Sequence, residues 1–403
     1  MRIAHLSLTD YRNYERAEIE FGPGPTLIVG RNGQGKTNLV EAIGYLATLG
    51  SHRVASDQPL IRAGEDAAII RARLQSSDRE LLAEIQINKV GANRAQLNRG
   101  GVKPRELVRY CHTVLFAPED IALIRGEPSG RRRFLDELLM QRIPRIAGVM
   151  SDYERVVRQR NTLLKSARAN GLRADRLSTL DIWDERLVAL GSEIIAERLN
   201  LIDRLQDPLR EAYQSVAGDD HVPVLVPSLS IEGAGTADDD GAAVVPTSAD
   251  PSGDQEAATS TASPDSRRSI DGIAVRFRDM LAARRRSELD RAITLVGPHR
   301  DDLTLMLNAL PAKGYASHGE SWSYALALKL ASAELLRHDF ASGDPVLILD
   351  DVFAELDQAR RRRLADAVTG YEQVLITAAV LDDVPEALSG TVVHIRAGVI
   401  VDE

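Results

Sequence analysis

Residues 30–37 read Gly-Arg-Asn-Gly-Gln-Gly-Lys-Thr, which fits G-x-x-x-x-G-K-[ST]. That spacing binds phosphate when a strand ends just before it and a helix starts just after it. Both neighbours are expected here. "PTLIVG" reads as a buried strand, and "KTNLVEAIGYLATLG" puts Leu39, Val40, Ile43, Leu46 and Ala47 on one helical face. Gly30, Gly33 and Gly35 let the backbone curl so that successive N–H groups meet one anion. The helix start behind them adds about half a positive charge. Lys36 is then expected to reach the β- and γ-phosphates of ATP, and the Thr37 hydroxyl to bind Mg2+.

A second constellation is the acid pair in "PVLILDDVFAELD". Four consecutive apolar residues read as a fully buried parallel strand, and α/β sites gather at the carboxyl ends of such strands. Asp350 is placed to hold the Mg2+ shell and Asp351 to orient or activate the attacking water. Capping of the next helix is the alternative use of two such acids. A third feature is the turn Ser317-His318-Gly319-Glu320, which opens the apolar stretch "SWSYALALKLASAELL". An ordinary capped core helix and a helix start offered to an anion both fit it.

The elements around these residues fall into an α/β core interrupted by helices. Residues 1–120 alternate strands and one helix, with a hairpin at "SSD" and a strand in "HTVLFAP" that Pro118 stops. From 121 to 217 helical periodicity takes over. A further helix, "IAVRFRDMLAARRRSELDRAI", precedes the return of strands at "TLVGPHRDDLTLML". The expected organisation is a head made of 1–120 and 292–403, with a mainly helical lobe over 121–291. Within that lobe, residues 232–266 hold eight acids and no base, which account for all but one unit of the net charge of −9. Such a composition buries too little to order itself, so a disordered loop is expected. Residues 121–176 are the opposite: thirteen Lys or Arg against six acids.

Composition excludes several classes. No apolar run reaches the roughly 20 residues of a bilayer span, so a soluble cytoplasmic protein without a membrane partner is expected. Cys111 is the sole cysteine, which rules out a disulfide or a thiolate metal site within one chain.

Taken together, the motifs resemble the ABC ATPase superfamily, with "SHGE" in the place of its signature turn and "AELD" after the acidic strand. More closely, the chain resembles the RecF family of bacterial recombinational-repair ATPases. The residues that carry this are "LTDYRNYERAEIEFGPGPTLIVGRNGQGKTNLVEAIGYLATLGSHR", "FAPEDIALIRGEPSGRRRFLDELL", "VGPHRDDL", "ASHGE", "LILDDVFAELD" and "VLITA", in that order.

The resemblance implies an ABC-type head with a helical lobe, ATP-dependent homodimerisation and slow, DNA-dependent hydrolysis. It also implies binding to DNA at single-strand gaps near the nucleoid, and cooperation with RecR and RecO to load RecA. Carried over by position, Gly30, Arg31, Asn32, Gly33, Gln34, Gly35, Lys36, Thr37 and Asn38 bind nucleotide. Arg12 in "YRNY" stands near the α-phosphate and adenine. Ser317 and Gly319 act on the ATP of a second copy, Asp357 lies at the dimer seam, and Thr377 occupies the place of a switch histidine. For Arg12 and Thr377, an exposed turn arginine and a buried strand threonine are equal readings. For His299 and Asp301 the equal reading is a capped turn with a buried ion pair.

The chain departs from the pattern in three places. Asp350-Asp351 stands, as in the RecF family, where ABC proteins usually carry Asp-Glu, Ser321-Trp322 follows the signature where many relatives carry Gln-Arg, and the acidic loop has no counterpart. An SMC-like chromosome-structural ATPase is disfavoured because about 170 inserted residues cannot form a long hinged coiled coil. A transporter subunit is disfavoured by the helical lobe. A nucleotide-binding scaffold without turnover stays open.

Overall fold

A computed structural model describes residues 1–76, 79–171, 178–218, 221–233, 268–340 and 343–401. Residues 234–266 of the expected acidic loop lie outside these. The chain begins with β1 (Arg2–Tyr11), β2 (Tyr14–Glu20), β3 (Gly24–Val29), α1 (Lys36–Thr48), β4 (Ala67–Ser76), β5 (Arg79–Asn88), β6 (Arg94–Leu97) and β7 (Gly100–Val102). A 3-10 turn over Pro104–Arg109 leads to β8 (Thr113–Phe116). The helices α2 (Ile121–Arg125), α3 (Pro128–Arg142), α4 (Ile146–Ala169) and α5 (Ser178–Ala217) follow, then β9 (Pro223–Ser228) and α6 (Ile270–Arg291). The last part holds β10 (Asp302–Leu307), β11 (Leu310–Pro311), α7 (His318–Asp339), β12 (Val346–Asp350), α8 (Gln358–Val368), β13 (Gln373–Ala378), β14 (Thr391–Arg396) and β15 (Val399–Val401).

The two ends of the chain build one sheet, in the order β15-β14-β3-β13-β12-β8. β14, β3, β13, β12 and β8 are parallel and β15 closes the edge antiparallel. Every residue of β12 and β13 is buried, as expected of strands covered on both faces. The register Asp350↔Thr377 sets the ends of these two central strands side by side. A second sheet, β2-β1-β4-β5-β6-β7, is antiparallel throughout, and its burial alternates along β4. The region is therefore the α/β core that the motifs implied.

A third sheet, β11-β10-β9, was not foreseen. β9 reads "PVLVPS", and its prolines hide it from pattern reading. It pairs antiparallel with β10, Asp302 opposite Ser228, across a long stretch of chain. Three apolar clusters hold the molecule. One lies between α1 and the antiparallel sheet, where Leu39, Ile43 and Leu46 meet Leu8, Ile70 and Ile85. The largest joins Leu347, Leu349 and Val374 of the parallel sheet to α7, α3, β10 and the last part of α5 (Leu201, Leu205, Leu209, Tyr213). The third, with Tyr153, Val156, Leu187, Ile195 and Phe277, binds α4, α6 and the first part of α5 into a helical arm.

Candidate nucleotide site

The loop Gly30–Thr37 runs from β3 into α1 as the spacing predicts. Gly33 and Gly35 take φ of 80° and 117°, which only glycine adopts without strain. Gly30 is required for a different reason: a Cβ there would come 2.4 Å from the carbonyl oxygen of Ile395. The loop is tied from behind, since Gln34 Oε1 accepts from the N–H of Ala397 at 2.5 Å and its carbonyl from that of Gly398 at 2.9 Å. Asn13 clamps the other side, donating to the Gln34 carbonyl at 3.1 Å and accepting from Asn38 at 2.7 Å. Tyr14 donates to the Gly35 carbonyl at 3.0 Å. Arg31, Asn32 and Gly33 stay exposed at the loop tip.

Lys36 and Thr37 point to the acid pair. The Lys36 ammonium lies 3.3 Å from Asn32 Oδ1 and 3.8 Å from Asp351 Oδ2. The Thr37 hydroxyl donates to Asp350 Oδ1 at 3.1 Å. Thr377 donates to the same oxygen at 2.6 Å and accepts from the backbone N–H of Asp351 at 2.9 Å, so it links the two acids from the neighbouring strand. Burial pushes the Asp350 carboxyl up to about 6, and the negative neighbours Asp351 and Glu119 add to this. Asp351 takes a left-handed backbone, φ 50°, which costs a non-glycine residue of order 1 kcal/mol and is the kind of strain found at working sites. A cleft of about 160 Å³ lined by Asn32, Pro118, Asp351, Phe353 and Thr377 opens beside it.

These residues fit a divalent cation. A buried carboxylate held next to a threonine hydroxyl, with its charge opposed by like-charged neighbours, is stabilised in its ionised form by a cation beside it. Among the described residues no cluster of three or more His, Cys, Asp or Glu could hold a metal. An ion at Thr37 and Asp350 would therefore take its other oxygens from phosphate and water.

Arg12 is placed beside the loop but its guanidinium is committed elsewhere. It donates from Nε and Nη2 to the two oxygens of Glu41 at 2.8 and 2.6 Å, and from Nη1 to the Pro59 carbonyl at 3.1 Å. Glu41 lies on α1, fully buried, and also accepts from Ser51. The Arg12 fork thus anchors the phosphate-loop helix through a buried acid that sequence reasoning overlooked. The signal was a glutamate in the middle of an apolar helix face.

The signature turn forms a second polar edge. Ser317 caps α7: its hydroxyl accepts from Glu320 N–H at 3.2 Å, and Glu320 Oε2 accepts from Ser317 N–H at 2.7 Å. Arg360 of α8 lies against Gly319 and donates to Ser323 Oγ at 3.1 Å and to Asp357. Asp357 in turn caps α8, accepting from Arg360 N–H at 2.9 Å. Gly319, Ser323 and Asp357 are therefore coupled through one guanidinium. Ser321 and Trp322 are buried, Trp322 in the main core, so they offer nothing to a second chain. Instead Arg125 of α2 reaches this helix start, donating to Ser321 Oγ at 3.2 Å.

"GPHRDD" forms the joint between arm and head. His299 contacts Tyr153 Oη at 2.7 Å through Nδ1, and burial pushes its imidazole down to about 3. Asp301 Oδ1 accepts from Ser230 N–H at 2.8 Å and from its hydroxyl at 2.7 Å. Arg131 grips Asp302 with two bonds of 2.8 and 2.9 Å. The capped-turn reading describes this segment, with the ion pair on Asp302.

A parallel sheet with the phosphate loop and acid pair at its strand ends, plus an antiparallel sheet and a helical arm, defines an ABC-type ATPase head of the kind found in SMC proteins. The family model "RecF/RecN/SMC N terminal domain" matches residues 2–396. The chain is 63% identical over 402 residues to the DNA replication and repair protein RecF of Clavibacter michiganensis subsp. michiganensis, covering 100% of this chain and 96% of that protein. It is 51% identical over 404 residues to that of Streptomyces avermitilis, with 99% of each covered. Among solved structures, "Structure of the recombination mediator protein RecF-ATPrS in RecFOR pathway" matches with a TM-score of 0.82 and 26% identity, over 99% of this chain and 97% of that one. An Smc head bound to the C-winged helix domain of ScpA matches in fold alone, with a TM-score of 0.52 and 16% identity over 99% and 96% of the two chains. The chain belongs to the RecF family.

Proposed function

We propose that this chain is an ATP-switched DNA-binding protein of replication and recombinational repair. ATP draws two copies together, the dimer holds DNA at single-strand gaps, and RecR and RecO join it to promote RecA loading. Slow hydrolysis, stimulated by DNA, returns it to monomers in the cytoplasm. No helix among the described residues is long and apolar enough to cross a membrane.

One observation carries this reading. Lys36, Thr37, Asp350 and Asp351 meet within one chain, while the capped turn at Ser317–Gly319 is built separately and Ser317 is exposed. Among the described residues no hydrogen bond or ion pair joins the two. A helix start with a serine cap and a close-approach glycine suits the γ-phosphate of a neighbouring copy. In the proposed site, the backbone of Gly30–Asn38 and Lys36 hold the phosphates, and Asp351 orients water. Arg12 and Thr377 act as positioning residues, and Asp357 lies at the seam. Thr37 and Asp350 would hold Mg2+, which when bound would neutralise charge on the phosphate oxygens. The relatives' printed names, a DNA replication and repair protein and a RecFOR-pathway mediator, support the same reading.

The test compares wild type, Lys36→Arg and Asp351→Asn for ATP turnover and for binding of gapped DNA with and without ATP. Wild type is expected to turn over slowly and to tighten on DNA with ATP. Asp351→Asn should keep the tightening without turnover, and Lys36→Arg should lose both. Equal near-zero turnover in all three would make hydrolysis irrelevant, and no tightening of wild type would end the proposal.

A further inference from the structure

The basic excess over 121–176 is the first place to seek a DNA surface, yet most of its charge is already used. Arg131 holds Asp302, Arg142 holds Asp339, and Arg133 holds Glu137. Arg155 and Arg158 pair along α4, and Arg160 is fully buried between Asp184 and Glu288. Arg131, Arg142 and Arg160 are neutralised inside the fold and release no counterions when DNA arrives, while Arg133, Arg155 and Arg158 must first give up a surface acid, so these six give less affinity than unpaired cations.

A denser group of unpaired cations lies in the segment 94–109, "RAQLNRGGVKPRELVR". Arg94, Arg99, Lys103, Arg105 and Arg109 are all exposed there, and Glu106 is the one acid. Among the described residues none of the five side chains has an ion-pair or hydrogen-bond partner. The β6–β7 register, Ala95 opposite Val102, brings Arg94 and Lys103 to the same end of the hairpin. Unpaired like charges at such proximity cost stability, so the fold itself gives no reason for them.

This segment faces a cleft. Its 3-10 turn carries Arg105, Glu106 and Arg109 along one wall of a cleft of about 600 Å³, whose other wall is the start of α4 with its cap Arg145, Gly148 and Asp152. Gly148 leaves that wall open: a Cβ there would stand 3.4 Å from Arg105 Nη1. Arg145 is held back by Glu193 and Glu197, and Asp152 by Arg155, so among the described residues the charges left unpaired in the cleft are Arg105, Arg109 and the single acid Glu106, a net positive balance. The turn is rigidly seated, with Leu107 buried in the same apolar cluster as α1, the helix of the phosphate loop.

We infer that the cleft between the Pro104–Arg109 turn and α4, together with the β6–β7 hairpin, seats the phosphate backbone of duplex DNA. A row of exposed guanidinium groups without acidic partners matches a row of phosphates, which arginine forks bind in bidentate fashion. Contacts of this type fix position and carry no sequence preference. The inference rests on the DNA-binding reading above and names its surface.

The test is salt-dependent binding of a labelled duplex, with ATP present, by wild type, Arg105→Gln/Arg109→Gln, Gly148→Glu and Lys165→Gln/Arg168→Gln. Removing two phosphate contacts should lower the slope of log affinity against log salt by about 1.8 and weaken binding by about tenfold at moderate salt. Gly148→Glu places a carboxylate against Arg105 from the opposite wall, on a helix where glutamate is favoured over glycine, and should weaken binding without unfolding. Lys165→Gln/Arg168→Gln, farther along α4, should stay within twofold. Nucleotide affinity should be unchanged in all. A slope and affinity for both cleft variants equal to wild type, or equal losses in the α4 control, would overturn the assignment. Wild type that binds no duplex at any salt would instead overturn the underlying reading.

Discussion

Arg360 packs on Gly319 so closely that a Cβ at 319 would lie 2.7 Å from Nη2, while the same guanidinium is bonded to Asp357. The turn proposed to meet ATP and the acid proposed to lie at the seam are thus set by one side chain.

Gly319→Ala is expected to displace that guanidinium rather than the backbone, because the clash is with the end of a flexible side chain. Thermal stability should change by less than about 1 kcal/mol, while ATP-driven dimerisation weakens about tenfold, roughly 1.4 kcal/mol. In an Arg360→Ala background the same substitution should add little. Sedimentation equilibrium of the four proteins gives the coupling. Full additivity would show that Arg360 does not mediate the effect.

Asp350 gives a pH signature in the nucleotide-free, Mg2+-free protein. Its carboxyl is raised to about 6, so the folded state binds the proton more tightly than the unfolded state. Stability is then lost as pH rises from about 4 to above 6, by about 2–3 kcal/mol. Asp350→Asn should be more stable than wild type at pH 7.5 and equal to it near pH 4. Urea titrations at the two pH values check this, and a constant difference between them would contradict it.

Arg12→Ala leaves Glu41 buried with weaker partners, Ser51 and the more distant Arg53. Stripping the main partner from a buried charge costs about 3 kcal/mol or more. Chemical unfolding should show that loss. A change below about 0.5 kcal/mol, with nucleotide affinity lost instead, would make Arg12 a direct nucleotide contact.

Gly297→Ala tests the joint of arm and head. Gly297 has φ 129°, and a Cβ would fall 2.2 Å from Tyr153 Oη, which His299 holds in place. The substitution is expected to cost about 3 kcal/mol by strain and overpacking. Tyr153→Phe/Gly297→Ala should recover part of it, and a melt of Gly297→Ala equal to wild type would refute the tight joint.

The central geometry was readable in the sequence because motif and periodicity agreed there. The β3–loop–α1 unit and the four apolar residues of β12 that lead to Asp350 each carry a pattern that only one element fits. The sites of error share a cause: partners far apart in the chain. Arg360 sits in "RRRR", which reads as a solvated helix face, and nothing local reveals its contact with Gly319. Charge counting over 121–176 shows a basic excess but not the distant acids that neutralise part of it, such as Asp302 for Arg131 and Asp339 for Arg142. β9 is hidden by its prolines and by its partner β10 lying beyond the acidic stretch.

The most direct test of the central claim is the mass in solution of wild type and Ser317→Arg, with and without ATP. Wild type is predicted to shift from monomer to dimer with ATP. Ser317→Arg should bind ATP with unchanged affinity and remain a monomer, because it blocks the edge offered to the other copy. A dimer that forms equally in both proteins, or a wild type that stays monomeric at saturating ATP, would contradict the account.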